Sequence, residues 1–192
     1  VMEMNNIGAR LGANAIETSL KSAVVGVALV LLFMLLVYRV GGFAADWALV
    51  IYMGLEVAVL SLFNVTLTLP GIAGVILSVG MAVDANVIIF ERFKEEVSSG
   101  KTMRSAVKTS FSRALPAILD GNITTLIAAA ILYFMGTGTI KGFAITLIIG
   151  IVLSMFTALV ITRFVLMALY GIGFKDARVP SASEIEKVLS LT

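Results

Sequence analysis

Five apolar segments, each long enough to cross a lipid bilayer, constrain this chain more than any other feature. A helix rises about 1.5 Å per residue, so about 20 apolar residues span the roughly 30 Å of hydrocarbon. The chain is 59% hydrophobic and 14% charged, whereas soluble domains are about 45–50% apolar and about 25% charged. We therefore expect an all-α membrane protein, a bundle of five transmembrane helices with short interfacial helices. The predicted spans are residues 20–38, 43–63, 69–90, 114–135 and 142–169.

The charge of one connection predicts how the bundle lies in the membrane. Residues 91–113 hold six Lys or Arg against three Glu, and short loops rich in Lys and Arg stay on the cytoplasmic side. The third span then ends inside and the fourth begins inside. This order places the N-terminus outside and the C-terminus in the cytoplasm, in a multi-pass protein of the cytoplasmic (inner) membrane. The segment 91–110 is interpreted as one or two interfacial helices that break at residues 98–100.

The two ends of the chain read differently from its spans. Residues 1–19 are interpreted as the end of an exported region that precedes them, and residues 7–22 have the spacing of an amphipathic juxtamembrane helix. Residues 20–174 form the predicted five-helix domain. Residues 175–192 are polar and predict a cytoplasmic C-terminal tail.

The absence of two residue types from the sequence excludes several kinds of chemistry. The chain has no Cys and no His, which excludes disulfides, thiolate and imidazole metal sites, and a Cys nucleophile. It also has no phosphate-binding Gly-Lys-Ser/Thr loop. We expect no enzymatic activity, no metal or other cofactor, and no binding of nucleic acid. Carboxyl groups, amides, hydroxyls and water remain as the groups that could carry a proton.

Asp84 interrupts the third span. A charged side chain at this depth costs about 2.5–3.5 kcal/mol on insertion scales, so it should face the bundle interior or a wet cavity. There it could take and release a proton; the alternative is an Asp that only hydrogen-bonds neighbouring helices. Small residues in the same span are assigned to helix packing, because they let another backbone approach closely. They are Gly71, Gly74, Ser78 and Gly80.

Asp120 interrupts the fourth span and is the second candidate. Thr124, four residues later, shares its helix face, while Asn122 and Thr125 share a neighbouring face. So many polar groups in two turns favour a polar interior over lipid, although hydrogen bonding between helices is an equal alternative. Nothing in this pattern favours an intramembrane aspartyl protease over proton handling.

Glu56 lies in the middle of the second span. It could pair with a cation, face a cavity, or stay protonated in a packed interface, and the sequence leaves these alternatives open.

Residues 80–92, which read Gly-Met-Ala-Val-Asp-Ala-Asn-Val-Ile-Ile-Phe-Glu-Arg, resemble the SecD family. Its members are membrane subunits that assist the Sec protein-export channel, within the resistance-nodulation-division superfamily. Gly121 departs from the family motif, where Ala is more usual. The resemblance covers residues 7–174 and includes 69–74, 120–126, 136–144 and 154–158.

The resemblance implies a function and partners. It implies a preceding helix and a large exported domain, and a SecF-like subunit that completes a pseudo-symmetric bundle. Asp84 would lie on the proton pathway between the halves, with Asp120, Asn122 and Thr124 near it. The subunit would use the proton-motive force to assist Sec-dependent export. Its partners would be the Sec channel, the exported polypeptide and the bilayer. Alternatives are a proton-coupled small-molecule exporter of the same superfamily, and a scaffold that transports nothing.

Overall fold

The structure is a computed structural model that describes residues 2–38 and 40–171, and those residues form helices and short connections without a strand. Five helical stretches are long and apolar enough to cross a membrane. The all-α bundle predicted from the sequence is thereby confirmed, while the predicted tail, residues 175–192, lies outside the described part. The helices are α1 (Met2–Tyr38), α2 (Val40–Leu62), α3 (Leu69–Ser98), α4 (Met103–Met135), α5 (Thr139–Phe156) and α6 (Thr162–Gly171).

A π-helical turn, Thr157–Ile161, joins α5 to α6, so the fifth span runs continuously over Thr139–Leu169. The turn is compatible with a membrane span because its backbone bonds continue along the helix: the N–H of Thr162 donates to the carbonyl of Thr157. Backbone groups in hydrocarbon need such internal partners, since lipid offers none.

The basic segment differs from the expectation of separate interfacial helices. Instead, α3 continues to Ser98 and α4 begins at Met103, so only residues 99–102 connect them. Gly100 makes the reversal with a φ of +84°, a conformation that glycine adopts without steric cost. The juxtamembrane helix predicted over residues 7–22 is likewise continuous with the first span, and both are part of α1.

The buried carboxylate of Glu96 holds this turn together. Its side chain is 3% exposed. Lys101 pairs with one of its oxygens, and Arg113 Nη1 lies 2.6 Å from the other. Because the two cations come from the connection and from α4, the ion pairs fix the end of α3 against the start of α4.

Contacts between small residues place α3 at the centre of the bundle, with its most extensive contact against α5. Gly71, Gly74 and Ser78 are buried on this side of α3. A Cβ on Gly74 would lie 3.2 Å from the carbonyl oxygen of Phe143 and would collide with Thr146 Oγ1. Gly80 is different: it is exposed, and no atom lies within 4 Å of where its Cβ would be. The helix packing expected of Gly80 is therefore not made within the described chain.

The other helices contribute unequally to the core. Only 6% of the span in α1 and 11% of that in α4 are buried, against 44% of the spans built on α3 and α5. The bundle therefore has a packed centre and open flanks, and α1 and α4 are the helices with the most surface left for lipid or for another protein.

We expect Gly74→Ala to lower the free energy of unfolding by about 1–3 kcal/mol, because the added methyl group must displace Thr146 or the backbone of α5. The matched control is Gly54→Ala in α2, where no atom lies within 4 Å of the added carbon. That control should be neutral or stabilise by about 0.5–1 kcal/mol through its helix propensity. Denaturation of each variant in detergent, monitored as the loss of helicity, gives its free energy of unfolding. Equal effects of the two substitutions would contradict the close contact at Gly74.

Candidate functional site

A small cleft between α3 and α4 contains the side chain of Asp84. Its volume is about 140 Å³, and about half of its wall is polar. The polar groups come from Asp84 on α3 and from Asn122 and Thr125 on α4. Gly121 contributes no side chain, and no atom lies within 4 Å of its would-be Cβ, so the cleft stays open at this position. A cleft of this size and polarity suits a few water molecules, each of which occupies about 30 Å³.

The rotation of α3 explains why Asp84 reaches this cleft. Asp84 is exposed on the bundle surface, while Ala85 and Asn86 are buried. The amide oxygen of Asn86 accepts a hydrogen bond from Thr162 Oγ1 at 2.8 Å, and its Nδ2 donates to the carbonyl of Ala82 at 3.2 Å. Successive helical residues are about 100° apart, so holding Asn86 against α6 turns Asp84 away from it, towards α4.

The residues predicted on α4 divide between two faces. Asn122 and Thr125 line the cleft with Asp84; Asn122 Nδ2 donates to the carbonyl of Ile118 at 2.7 Å, and Thr125 Oγ1 donates to that of Gly121 at 3.0 Å.

Asp120 and Thr124 are exposed and do not line this cleft. The Thr124 hydroxyl donates to the backbone carbonyl of Asp120 at 2.9 Å. The resemblance implied Asp120, Asn122 and Thr124 as neighbours of Asp84; of these, Asn122 lines the cleft, together with Thr125.

Sequence reasoning missed two residues that support the site. Asn86 and Thr162 touch neither the cleft nor its polar groups, but their hydrogen bond sets the orientation of α3. Asn86 could have been recognised from the sequence, because it is an amide two residues after Asp84 in the same apolar span. Thr162 carried none, since its partner is 76 positions away.

The cleft opens on a face of the bundle where Asp84 is exposed. An ionised carboxylate against lipid is costly. Water or a polar partner on this face would remove that cost. Within the described residues, no group of three or more Asp, Glu, His or Cys could hold a metal ion.

Residues 1–171 match the family described as "Protein export membrane protein SecD/SecF, C-terminal". The chain belongs to this family. Two relatives, both named "Protein translocase subunit SecD", are similar over most of the chain. The one from Acidaminococcus fermentans is 56% identical over 174 residues, which are 91% of this chain and 42% of the relative. The one from Sebaldella termitidis is 52% identical over 165 residues, 86% of this chain and 41% of the relative.

Two solved structures share the fold. The crystal structure of SecDF, a translocon-associated membrane protein from Thermus thermophilus, aligns with a TM-score of 0.83 at 41% identity. It covers 85% of this chain and 23% of that protein. A SecDF structure in a super-membrane-facing form aligns with a TM-score of 0.79 at 42% identity. The chain thus spans less than half the length of the SecD relatives and about a quarter of SecDF.

Thr162→Val tests the bond that orients α3. The substitution keeps the shape of the side chain but leaves the buried Oδ1 of Asn86 without its donor, so the free energy of unfolding should fall by about 1–3 kcal/mol. Thr124→Val is the matched control, because its hydroxyl is exposed and bonds only to its own helix; it should change stability by less than about 0.5 kcal/mol. Thermal unfolding in detergent compares the two. Equal stability of both variants would show that the bond does not hold α3.

Proposed function

We propose that this chain is the transmembrane part of a SecD-type subunit that uses the proton-motive force to assist Sec-dependent protein export. The observation that carries the proposal is the position of Asp84 in a small polar cleft, on an exposed face of a bundle of the SecD/SecF family. A buried structural Asp would be enclosed by its own helices. Asp84 instead reaches the surface at membrane depth, where a proton could come and go.

The energy scale suits such a role. Moving one charge through 100 mV is worth about 2.3 kcal/mol, and a charged side chain at the centre of a membrane helix costs about 2.5–3.5 kcal/mol. Protonation of Asp84 therefore changes the free energy of exposing this face to lipid. The change is about as large as the energy that one proton releases when it crosses the membrane through a potential of about 100 mV. A proton bound at Asp84 can favour one packing of this face, and its release can favour another.

The open face supports a second membrane bundle as the partner. Gly80 and Asp84 lie one turn apart on the exposed side of α3, and Asp120 and Thr124 are exposed on α4. Glycine permits close approach of another helix, and the polar side chains can form hydrogen bonds with polar groups of a partner. We assign this face to a SecF-like subunit, so that the proton pathway runs between the two halves. Asp84, Asn122 and Thr125 would line it, with Asp120 and Thr124 facing the partner.

The wider assembly follows from the orientation. The connection between α3 and α4 carries Lys101 and is flanked by basic residues of both helices, which supports a cytoplasmic location. The N-terminus would then lie outside the inner membrane and the C-terminus inside. An exported domain before α1 would meet the translocating polypeptide, and the complex would act beside the Sec channel.

Asp84→Asn in the full subunit, assembled with its partner, should lower proton-driven export to the level measured without the subunit. The amide keeps the size of the side chain but cannot exchange a proton. Vesicles that carry the Sec channel, with and without a proton gradient, provide the measurement, and Asp120→Asn is the matched control with a smaller expected effect. Wild-type export and proton flux in Asp84→Asn would refute the proton-driven function and favour a scaffold.

The orientation can be tested independently of transport. Because the chain has no Cys, a single Cys can be placed in each connection of a cysteine-free subunit. Ser99→Cys, between α3 and α4, should react with a membrane-impermeant maleimide only after cells are opened. Asn64→Cys, between α2 and α3, should react in cells whose outer surface alone is accessible. The reverse pattern would invert the proposed topology.

A further inference from the structure

A second carboxyl group lies inside the bundle, outside the cleft of Asp84. Glu56 on α2 is 1% exposed. Its Oε1 is 2.8 Å from Ser78 Oγ on α3, and the phenol of Tyr52, one turn earlier on α2, donates to the same Oγ at 2.8 Å. Gly150 of α5 covers this contact: a Cβ there would lie 2.6 Å from Ser78 Oγ and 3.0 Å from Glu56 Oε1. Three helices therefore enclose one carboxyl and two hydroxyls.

Glu56 has no cationic partner among the residues that the structure describes. Within that part of the chain its Oε2 also has no hydrogen-bond partner. The neighbouring groups are Tyr52 on α2, Ser78 on α3 and the backbone at Gly150 on α5. On the side of α1 the wall is apolar. Among the side chains of α1 that the structure describes, the charged ones are Glu17 and Lys21, which pair with each other at 2.7 Å and are exposed.

Comparison with Glu96 shows that burial alone does not decide the charge of a glutamate in this bundle. The two residues are almost equally buried, at 1% and 2% exposure. Glu96 has Lys101 and Arg113 beside it, and two cations stabilise its ionised form. Glu56 has only hydroxyl neighbours, and an unpaired ion in such a place is costly. In the packed bundle Glu56 is therefore the neutral acid.

We propose that Glu56, Ser78 and Tyr52 form a second proton-binding site of the bundle, separate from Asp84. The Ser78 hydroxyl has one proton and two acceptors in reach, Glu56 Oε1 at 2.8 Å and the carbonyl of Val75 at 2.7 Å. While Glu56 is protonated, its O–H donates to Ser78 Oγ, and Ser78 donates to Val75.

Loss of the proton requires one change in this network. When Glu56 gives its proton to water, the Ser78 hydroxyl rotates and donates to the carboxylate, while Tyr52 continues to donate to Ser78. This rotation breaks the hydrogen bond from Ser78 to the carbonyl of Val75, the O–H bond of Glu56 is replaced by an O–H bond of the accepting water, and one proton leaves the site. Two hydroxyls in series then stabilise the carboxylate, because hydrogen bonds to an ion are stronger than those to a neutral group.

The route for that proton lies on the side of α1. Glu56 forms part of the wall of a groove of about 480 Å³ between α1, α2 and α3, whose other lining residues are apolar. Water that reaches the carboxyl from this side has to enter that apolar groove, one wall of which is α1. Since 6% of the span in α1 is buried, α1 is the helix held by the least packing. Proton exchange at Glu56 should therefore follow displacement of α1 and should be slower than exchange at the open Asp84 cleft.

Infrared spectroscopy of the full complex in lipid tests the site, because a protonated carboxyl has a C=O stretching band that a carboxylate lacks. Glu56→Gln should remove one such band, and the matched control Glu96→Gln should leave it in place. Ser78→Ala should shift the band to higher frequency, since the carboxyl loses its hydrogen-bond partner. In wild type the band should disappear reversibly as pH rises. Asp84→Asn should not affect it, which separates this result from the test of the proposed function.

Three results would overturn the inference. The band could persist in Glu56→Gln, which would mean that Glu56 is not the protonated group. It could persist in wild type at every pH up to unfolding, which would make Glu56 a permanent structural acid. If Glu56→Gln fails to give a monodisperse, helical complex, Ser78→Ala decides, and an unshifted band in that variant refutes the site.

Discussion

The close approach of α3 and α5 is the contact on which the rest of the bundle depends. Lipid tails are as apolar as leucine, so helices in a membrane gain little by hiding apolar surface from each other and rely on tight packing and hydrogen bonds. In this bundle, small residues permit both the tight packing and the hydrogen bonds between helices. Gly74 admits Thr146, and Gly150 admits Ser78 together with the carboxyl of Glu56. Further along, the π-helical turn after α5 brings Thr162 to Asn86. One line of contact thus fixes the depth and rotation of α3.

Because of that contact, one side of α3 packs against other helices and the opposite side is exposed. The side that faces α5 and α6 is packed against them, and its polar side chains, Ser78 and Asn86, form hydrogen bonds within the bundle. The opposite side carries Gly80 and Asp84, which the described chain leaves exposed. A rigid helix that is held on one side and open on the other can present a carboxyl at a defined depth to a partner. The likeness to SecDF, with a TM-score of 0.83 at 41% identity, shows that the two chains share the fold.

The sequence predicted those features that depend on a single helix. The five spans followed from length and hydropathy, and the break near residue 100 followed from Ser and Gly between charged helical stretches. The expectation that Asp84 avoids bulk lipid rests on the energy of one charged group and stays a prediction. Spacing also showed that Thr124 and Thr125 lie on different faces of α4.

Features that depend on two helices could not be read from the sequence. Spacing does not say which face of α4 meets α3, so it does not show that Thr125 rather than Thr124 lines the cleft. Gly80 matched a small-residue pattern, but the rotation of α3 leaves it outside. The grouping of Glu56 with Ser78 and Tyr52 requires the relative depth of α2, α3 and α5, which no local pattern encodes. The interfacial helices predicted within residues 91–110 are continuous with the spans, because α3 extends to Ser98 and α4 begins at Met103.

The π-helical turn at Thr157–Ile161 has a consequence for how chains of this family can differ in length. Such a turn contains one residue more than an α-helical turn, and it absorbs the addition locally. A relative that lacks one residue here could keep both halves of the span in place. A deletion elsewhere in α5 would instead turn every later side chain by about 100°, moving Thr162 off Asn86 and Leu166 out of the core. Gaps in alignments of this span should therefore collect at the turn.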